Sequence, residues 1–175
     1  MEITMNEIAI NSEQDIAGYD QYDEAAQQHE PMIRLITFDL ADERYGVEVS
    51  QVREILRINQ VFPVPVAPDY VVGITNIRGS VVTIIDGRRR FNLAPAEYTD
   101  LARMVVLEAN DEIAAVVVDS VSDVIDVPRS QVESNPKMNA RDDSPYISGV
   151  VTDDKGLIIL LKVETFITDD DTAGF

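Results

Sequence analysis

From Met32 onward the chain alternates short apolar runs, rich in Val, Ile, Thr and Phe, with polar breaks of Asp, Asn, Gly and Pro. "MIRLITFDL", "RYGVEV", "SVVTIID", "RMVVLEA", "IAAVVVD", "YISGVV" and "LIILLKV" are each of strand length and β-branched, which predicts an all-β barrel or sandwich. "ADER" and "ANDE" are polar connectors of hairpin type. Helical spacing is confined to "SQVREIL", "DGRRRFNL" and "KVETFIT". "FPVPVAP", with Pro63, Pro65 and Pro68, has too few backbone donors for a central strand and reads as an extended connector.

The pattern repeats. "RLITFDLADERYGVEVSQVREIL" from Arg34 matches "RMVVLEANDEIAAVVVDSVSDVI" from Arg103 without a gap, aligning Val52 with Val121. "YVVGITNIRGSVVTIIDGRRRF" from Tyr70 matches "YISGVVTDDKGLIILLKVETFI" from Tyr146, again gapless, and the longer connector falls around "VESNPKMNARDDSP". The simplest architecture is two similar β-barrel lobes joined by an apolar seam, one from each repeat, over about 34–98 and 102–168. Exchange of strands between lobes fits the same pattern.

Composition narrows the chemistry. With no Cys and a single His, His29, the chain offers no disulfide, thiolate zinc site, cysteine nucleophile or histidine-based triad, and no cofactor or metal is expected. The net charge of −18 opposes a phosphate backbone, so no nucleic-acid partner is expected. Residues 1–31 carry eight acids and no Lys or Arg, leaving −10 for the remainder, and read as a disordered acidic tail; residues 169–175 read as a flexible end. No apolar run reaches the roughly 18 residues of a membrane span, and the N-terminus lacks a signal-peptide core. A cytoplasmic protein is the expectation.

Two aspartates end apolar strands, Asp86 in "IIDG" and Asp119 in "VVVDS", as a two-lobed hydrolase would require. They are not repeat mates, since Asp86 falls opposite Lys162 and Asp119 opposite Ser50, and neither precedes Thr-Gly or Ser-Gly. A cap or turn role is the simpler reading of each. Gly73 and Gly79 are wrongly spaced for a nucleotide loop and read as turn residues. Arg88, Arg89 and Arg90 read as a solvated helix face with acidic neighbours. Arg78, beside Gly79, is a fixed guanidinium suited to a carboxylate, either Glu54 or one on a partner.

Taken in order, "RYGVEVSQVREILRINQVFPVPVAPDYVVGITNIRGSVVTIIDGRRRF", "AVVVDSVSDVIDVP" and "YISGVVTDDKGLIILLKVETFI" resemble the CheW family of bacterial chemotaxis coupling proteins, from about Met32 to Thr168. The resemblance implies two SH3-like five-stranded β-barrels and a scaffold without catalytic activity. It implies as partners the regulatory domain of the histidine kinase CheA and the cytoplasmic tip of chemoreceptors, whose helical hairpin would lie in the groove between barrels. Mixed rings with the kinase's related domain, and association with receptor arrays at the inner face of the membrane, are part of the same implication. Matched residue by residue, the family pattern marks Val52, Glu54, Gly73 and Arg78 as coupling positions, and Val121 and Val124 likewise; Glu54 and Arg78 are expected to form an ion pair.

Gly87, Ala115 and Lys162 depart from residues usual in the family, which bears on partner affinity rather than fold. Two rival readings are the coupling module of a CheV-type adaptor, whose receiver domain would follow, and an Asp-dependent hydrolase. The chain ends at "ITDDDTAGF" with no receiver sequence, so a complete coupling protein is the preferred expectation.

Overall fold

The computed structural model describes residues 29–134 and 144–168. The expected tail up to residue 28, the core of the long connector and the expected C-terminal end lie outside the described residues. Ten strands follow in order: β1 (Met32–Leu40), β2 (Glu43–Glu48), β3 (Val52–Leu56), β4 (Val71–Ile77), β5 (Ser80–Asp86), β6 (Arg103–Ala109), β7 (Glu112–Val118), β8 (Ser120–Pro128), β9 (Ile147–Asp153) and β10 (Gly156–Leu161). Short helices α1 (Gly87–Arg90) and α2 (Val163–Ile167) close the repeats. The connectors "ADER" and "ANDE" make hairpins, the second through Asn110 and Asp111 at φ 50 and 64, values that Asn and Asp tolerate better than other side chains.

Helical spacing in "SQVREIL" misleads. The segment is one 3-10 turn, Val49–Gln51, followed by strand β3, with Val52, Glu54 and Leu56 turned inward and Arg53 and Ile55 outward. Its apolar spacing satisfies both periods over so short a run, and pairing with β6 selects the strand. Strands β4 and β8, absent from the expected set, are interrupted respectively by a glycine and by alternating Asp and Ser.

The sheets run β8-β1-β2-β10-β9, here lobe I, and β3-β6-β7-β5-β4, lobe II. The expectation of one lobe per repeat is therefore corrected. Each repeat sends its first two strands to one lobe and its next three to the other. The hydrophobic pattern does not distinguish the arrangements, because an exchanged strand meets a neighbour of the same kind in either lobe. Each sheet encloses a small apolar cluster: Ile33, Leu35, Val127, Val151, Ile158 and Leu160 in lobe I, and Val82, Ile84, Met104, Val106, Ala115 and Val117 in lobe II.

A larger cluster of sixteen buried residues lies at the seam, drawn from β1, β2, β5, β6, β7, β10 and α2. Strands β1, β6 and β7 thus bury both faces, which is why they read as continuous apolar runs rather than alternating ones. At roughly 1.5–3 kcal/mol for each fully buried large side chain, the seam is a core and not a loose contact between finished domains. Its aromatic floor stacks Tyr45 between Phe38 and Phe91, at 5.8 and 4.7 Å, with Tyr146 and Phe166 beside Phe91.

Candidate functional site

In lobe II the edge strand β3 turns Val52 onto the seam cluster and leaves Ile55 exposed. Glu54, between them, meets Arg78 from the two-residue β4–β5 turn. Arg78 Nε donates to Glu54 Oε1 at 3.1 Å and Nη2 to Oε2 at 3.2 Å. The turn has consecutive positive φ at Arg78 (50) and Gly79 (87), the type I′ geometry that matches strand twist. Asn76 Oδ1 accepts from the Gly79 N–H at 3.0 Å and fixes the turn. Arg78 remains 81% exposed on its side chain against 21% for Glu54, so the carboxylate anchors and the guanidinium faces solvent. The Glu54 hydrogen bond, then its charge, raises the Arg78 pKa.

Gly73 differs from the other marked positions. It is buried in β4, and a Cβ there would stand 2.4 Å from the Phe62 carbonyl oxygen. The Phe62 and Ile74 backbones bond reciprocally at 2.8 and 2.9 Å, and Thr75 Oγ1 donates to the Gln60 carbonyl at 2.8 Å. Gly73 therefore seats the proline-rich connector on the edge of lobe II and presents no surface of its own. Gly149 does the same under Glu133 in lobe I, where a Cβ would lie 2.7 Å from the carbonyl oxygen.

In lobe I the edge strand β8 turns Val121 toward the seam cluster and leaves Val124 61% exposed. Asp123 accepts from Lys155 Nζ at 2.5 Å and lies 3.6 Å from Arg44, which donates to Asp153 at 2.7 Å. The Lys155 hydrogen bond, followed by its charge, lowers the Asp123 carboxyl below its ordinary value. At Asp153 burial pushes the pKa up, and the Arg44 hydrogen bond helps to bring it below normal. The structure thus sets Val52, Glu54 and Arg78 together in lobe II and Val121 with Val124 in lobe I. Both groups border one seam, and Gly73 lies beneath a connector. Exposed Ile55 and the cation Lys155 belong to these surfaces and were not singled out by sequence; strand assignment of "VREIL" and the alignment of Ile55 with Val124 could have found the first.

The two strand-ending aspartates are occupied by protein donors. Asp86 caps α1, accepting from Arg89 N at 3.1 Å, and accepts from Tyr98 Oη at 2.8 Å. Burial, then the Asp86 hydrogen bond, pushes the Tyr98 pKa well up. Asp119 takes Arg88 in a two-pronged grip at 2.6 and 2.9 Å and the Ala41 N–H at 2.8 Å. The arginine run is not a solvated face throughout: Arg90 is buried, its guanidinium 4.0 Å from the Tyr70 ring centroid and 4.4 Å from that of Tyr146, donating to the Phe166 carbonyl. Among the described residues no group of three or more His, Cys, Asp or Glu can hold a metal ion. A cavity of about 250 Å³ beside Gly46, Ser148 and Lys162 falls below the roughly 300–1,000 Å³ of small-molecule sites.

Residues 34–171 match the family model described as a CheW-like domain. A chemotaxis protein CheW of Treponema pallidum is 33% identical over 141 residues, covering 77% of this chain and 82% of that protein. One from Klebsiella aerogenes is 30% identical, covering 79% and 83%. The crystal structure of the scaffolding protein TtCheW from Thermoanaerobacter tengcongensis superposes with a TM-score of 0.74 at 25% identity, covering 83% of this chain and 94% of that one.

Proposed function

The chain belongs to the CheW-like family, and from that premise we propose that it is a non-catalytic chemotaxis scaffold coupling the cytoplasmic tip of chemoreceptors to the regulatory domain of CheA. One observation carries the reading: edge strands from two lobes, β3 and β8, flank one seam, each with a valine set inward (Val52, Val121) and an apolar residue exposed three positions on (Ile55, Val124). Such a pair of apolar rails suits a helix laid along the junction, with Arg78 as a charged stop beside it. Asp86 and Asp119 are committed to caps and ion pairs, which favours a scaffold over a hydrolase. No described helix is long and apolar enough to cross a membrane, so array association would run through partners.

The reading is tested by calorimetric titration of the protein into the isolated CheA regulatory domain and, separately, into a soluble receptor cytoplasmic fragment. Saturable binding to both, with the receptor arm weakened by Arg78→Ala at unchanged thermal midpoint, is expected. Absence of binding to both partners by folded protein would reject the coupling role.

A further inference from the structure

The repeat aligns Glu54 with Asp123, Ile55 with Val124 and Val81 with Leu157. The structure preserves more than the cores these matches would require. Ile55, Val124, Val81 and Leu157 are all exposed, at 37, 61, 70 and 37%, so two pairs of equivalent apolar residues face solvent in both lobes. Scattered surface apolar residues need no account, but equivalent ones kept outward in both lobes imply a common use.

The charge between them is equivalent too, though sequence alignment hides it. In lobe II the edge-strand carboxylate, Glu54, binds Arg78 at the first position of the β4–β5 turn. In lobe I the aligned carboxylate, Asp123, binds Lys155 at the second position of the β9–β10 turn. Alignment therefore sets Arg78 opposite Asp154, while the fold sets its ammonium counterpart one residue later. Lys155 is 65% exposed on its side chain, as Arg78 is at 81%. In a chain of net charge −18, each lobe thus keeps an outward cation beside exposed apolar residues. The complementary partner is an amphipathic helix bearing a carboxylate next to its apolar stripe.

We infer that Lys155 is a recognition residue, the lobe I counterpart of Arg78, which takes an acidic side chain of a helix seated against Val124 and Leu157. This rests on the scaffold reading, and the occupant is the receptor's helical hairpin: two helices offer two like faces to two like surfaces. Lys155 then helps to decide which receptors are gripped from lobe I.

The test titrates a receptor cytoplasmic fragment with the full chain and its Lys155→Glu, Lys155→Met and Lys155→Arg variants, with the CheA regulatory domain as a parallel ligand and thermal midpoints for each. Charge reversal is expected to weaken receptor binding by roughly three- to tenfold, Lys155→Met by less, and Lys155→Arg to restore it, with kinase affinity and midpoint unchanged. Receptor affinity unchanged in Lys155→Glu while Arg78→Ala loses it would overturn the inference and spare the scaffold reading. Equal loss toward both partners with a lowered midpoint would make Lys155 a structural ion-pair member and also overturn it. A wild-type chain that binds the kinase domain but no receptor fragment would reject the receptor half of the scaffold reading and Lys155's role with it.

Discussion

Arg78 holds a left-handed backbone position that Asn or Gly fills at lower cost, since Gly has no Cβ to crowd the following carbonyl oxygen and the short Asn amide can hydrogen-bond locally. Its ion pair is exposed and contributes little to folding. Arg78→Asn is therefore expected to keep the thermal midpoint or raise it by up to about 4 °C, while weakening receptor binding. A lowered midpoint would show that the Glu54 pair holds the fold rather than presenting a cation. Gly73 behaves in the opposite way. Because a Cβ would meet Phe62 backbone at 2.4 Å, Gly73→Ala is expected to cost about 2 kcal/mol or more in urea denaturation. Gly79→Ala, at φ 87 with no atom within 4 Å of its Cβ, should cost less. Equal costs would mean that the proline-rich connector moves aside freely, and that Gly73 carries no special demand.

Among the elements, α1 is short but fastens three others: Arg88 reaches Asp119 at the β7–β8 junction, Arg89 donates to the Asp69 carbonyl, and Arg90 enters the aromatic floor near α2. The first link is pH-sensitive. Burial pushes the Asp119 carboxyl up, but the Arg88 hydrogen bond, the Ala41 N–H and the Arg88 charge outweigh it and leave its pKa below the ordinary 3.8. A depressed folded-state pKa gives stability that is complete above 3.8 and lost as pH falls through the lowered value. Asp119→Asn should accordingly be less stable than the parent by about 1 kcal/mol at neutral pH, and the gap should narrow as the pH falls through the acid range below about 4. A gap constant across that range in thermal scans would reject the link. Most elements were legible before the structure: the doubly buried strands announced themselves as apolar runs, and "KVETFIT" and "DGRRRF" as helices. Strand β3 was not, because five residues cannot separate the two periods, and Arg90 was not, because its burial depends on Tyr70 and Tyr146 being brought together from separate repeats. Gly87 is explained only in three dimensions: Leu40 Cδ2 and the Val117 carbonyl already stand 2.9 and 2.8 Å from where its Cβ would be. Of the candidate site, the Glu54–Arg78 pair followed from residue type and turn chemistry, whereas Lys155 required the fold to reveal a cation displaced by one position.

At the scale of the whole molecule, strand exchange makes each repeat insufficient alone. Residues 32–98 contain β1 and β2 of lobe I but not β8, β9 or β10, and β3, β4 and β5 of lobe II but not β6 or β7. Separated from the second repeat, β1, β2, β3 and β5 each lose a hydrogen-bonded neighbour, and the seam loses Val105, Leu107, Val116, Val118 and Phe166. Burial lost on that scale exceeds the 5–15 kcal/mol by which a domain of this size is usually stable. A fragment of residues 32–98 is therefore expected to show no cooperative thermal transition as a monomer, and mixing it with residues 99–175 should restore strand circular dichroism in a 1:1 complex. The fragment has one other way to complete its sheets, which is to exchange β3, β4 and β5 with a second copy of itself. That homodimer would reproduce the two-lobed chain with both halves identical, and would support the exchange as strongly as the mixed complex. A fragment that folds cooperatively as a monomer, in sedimentation and in calorimetry, would mean that β3 can pair with β1 of its own repeat, and that the exchanged sheets do not govern stability.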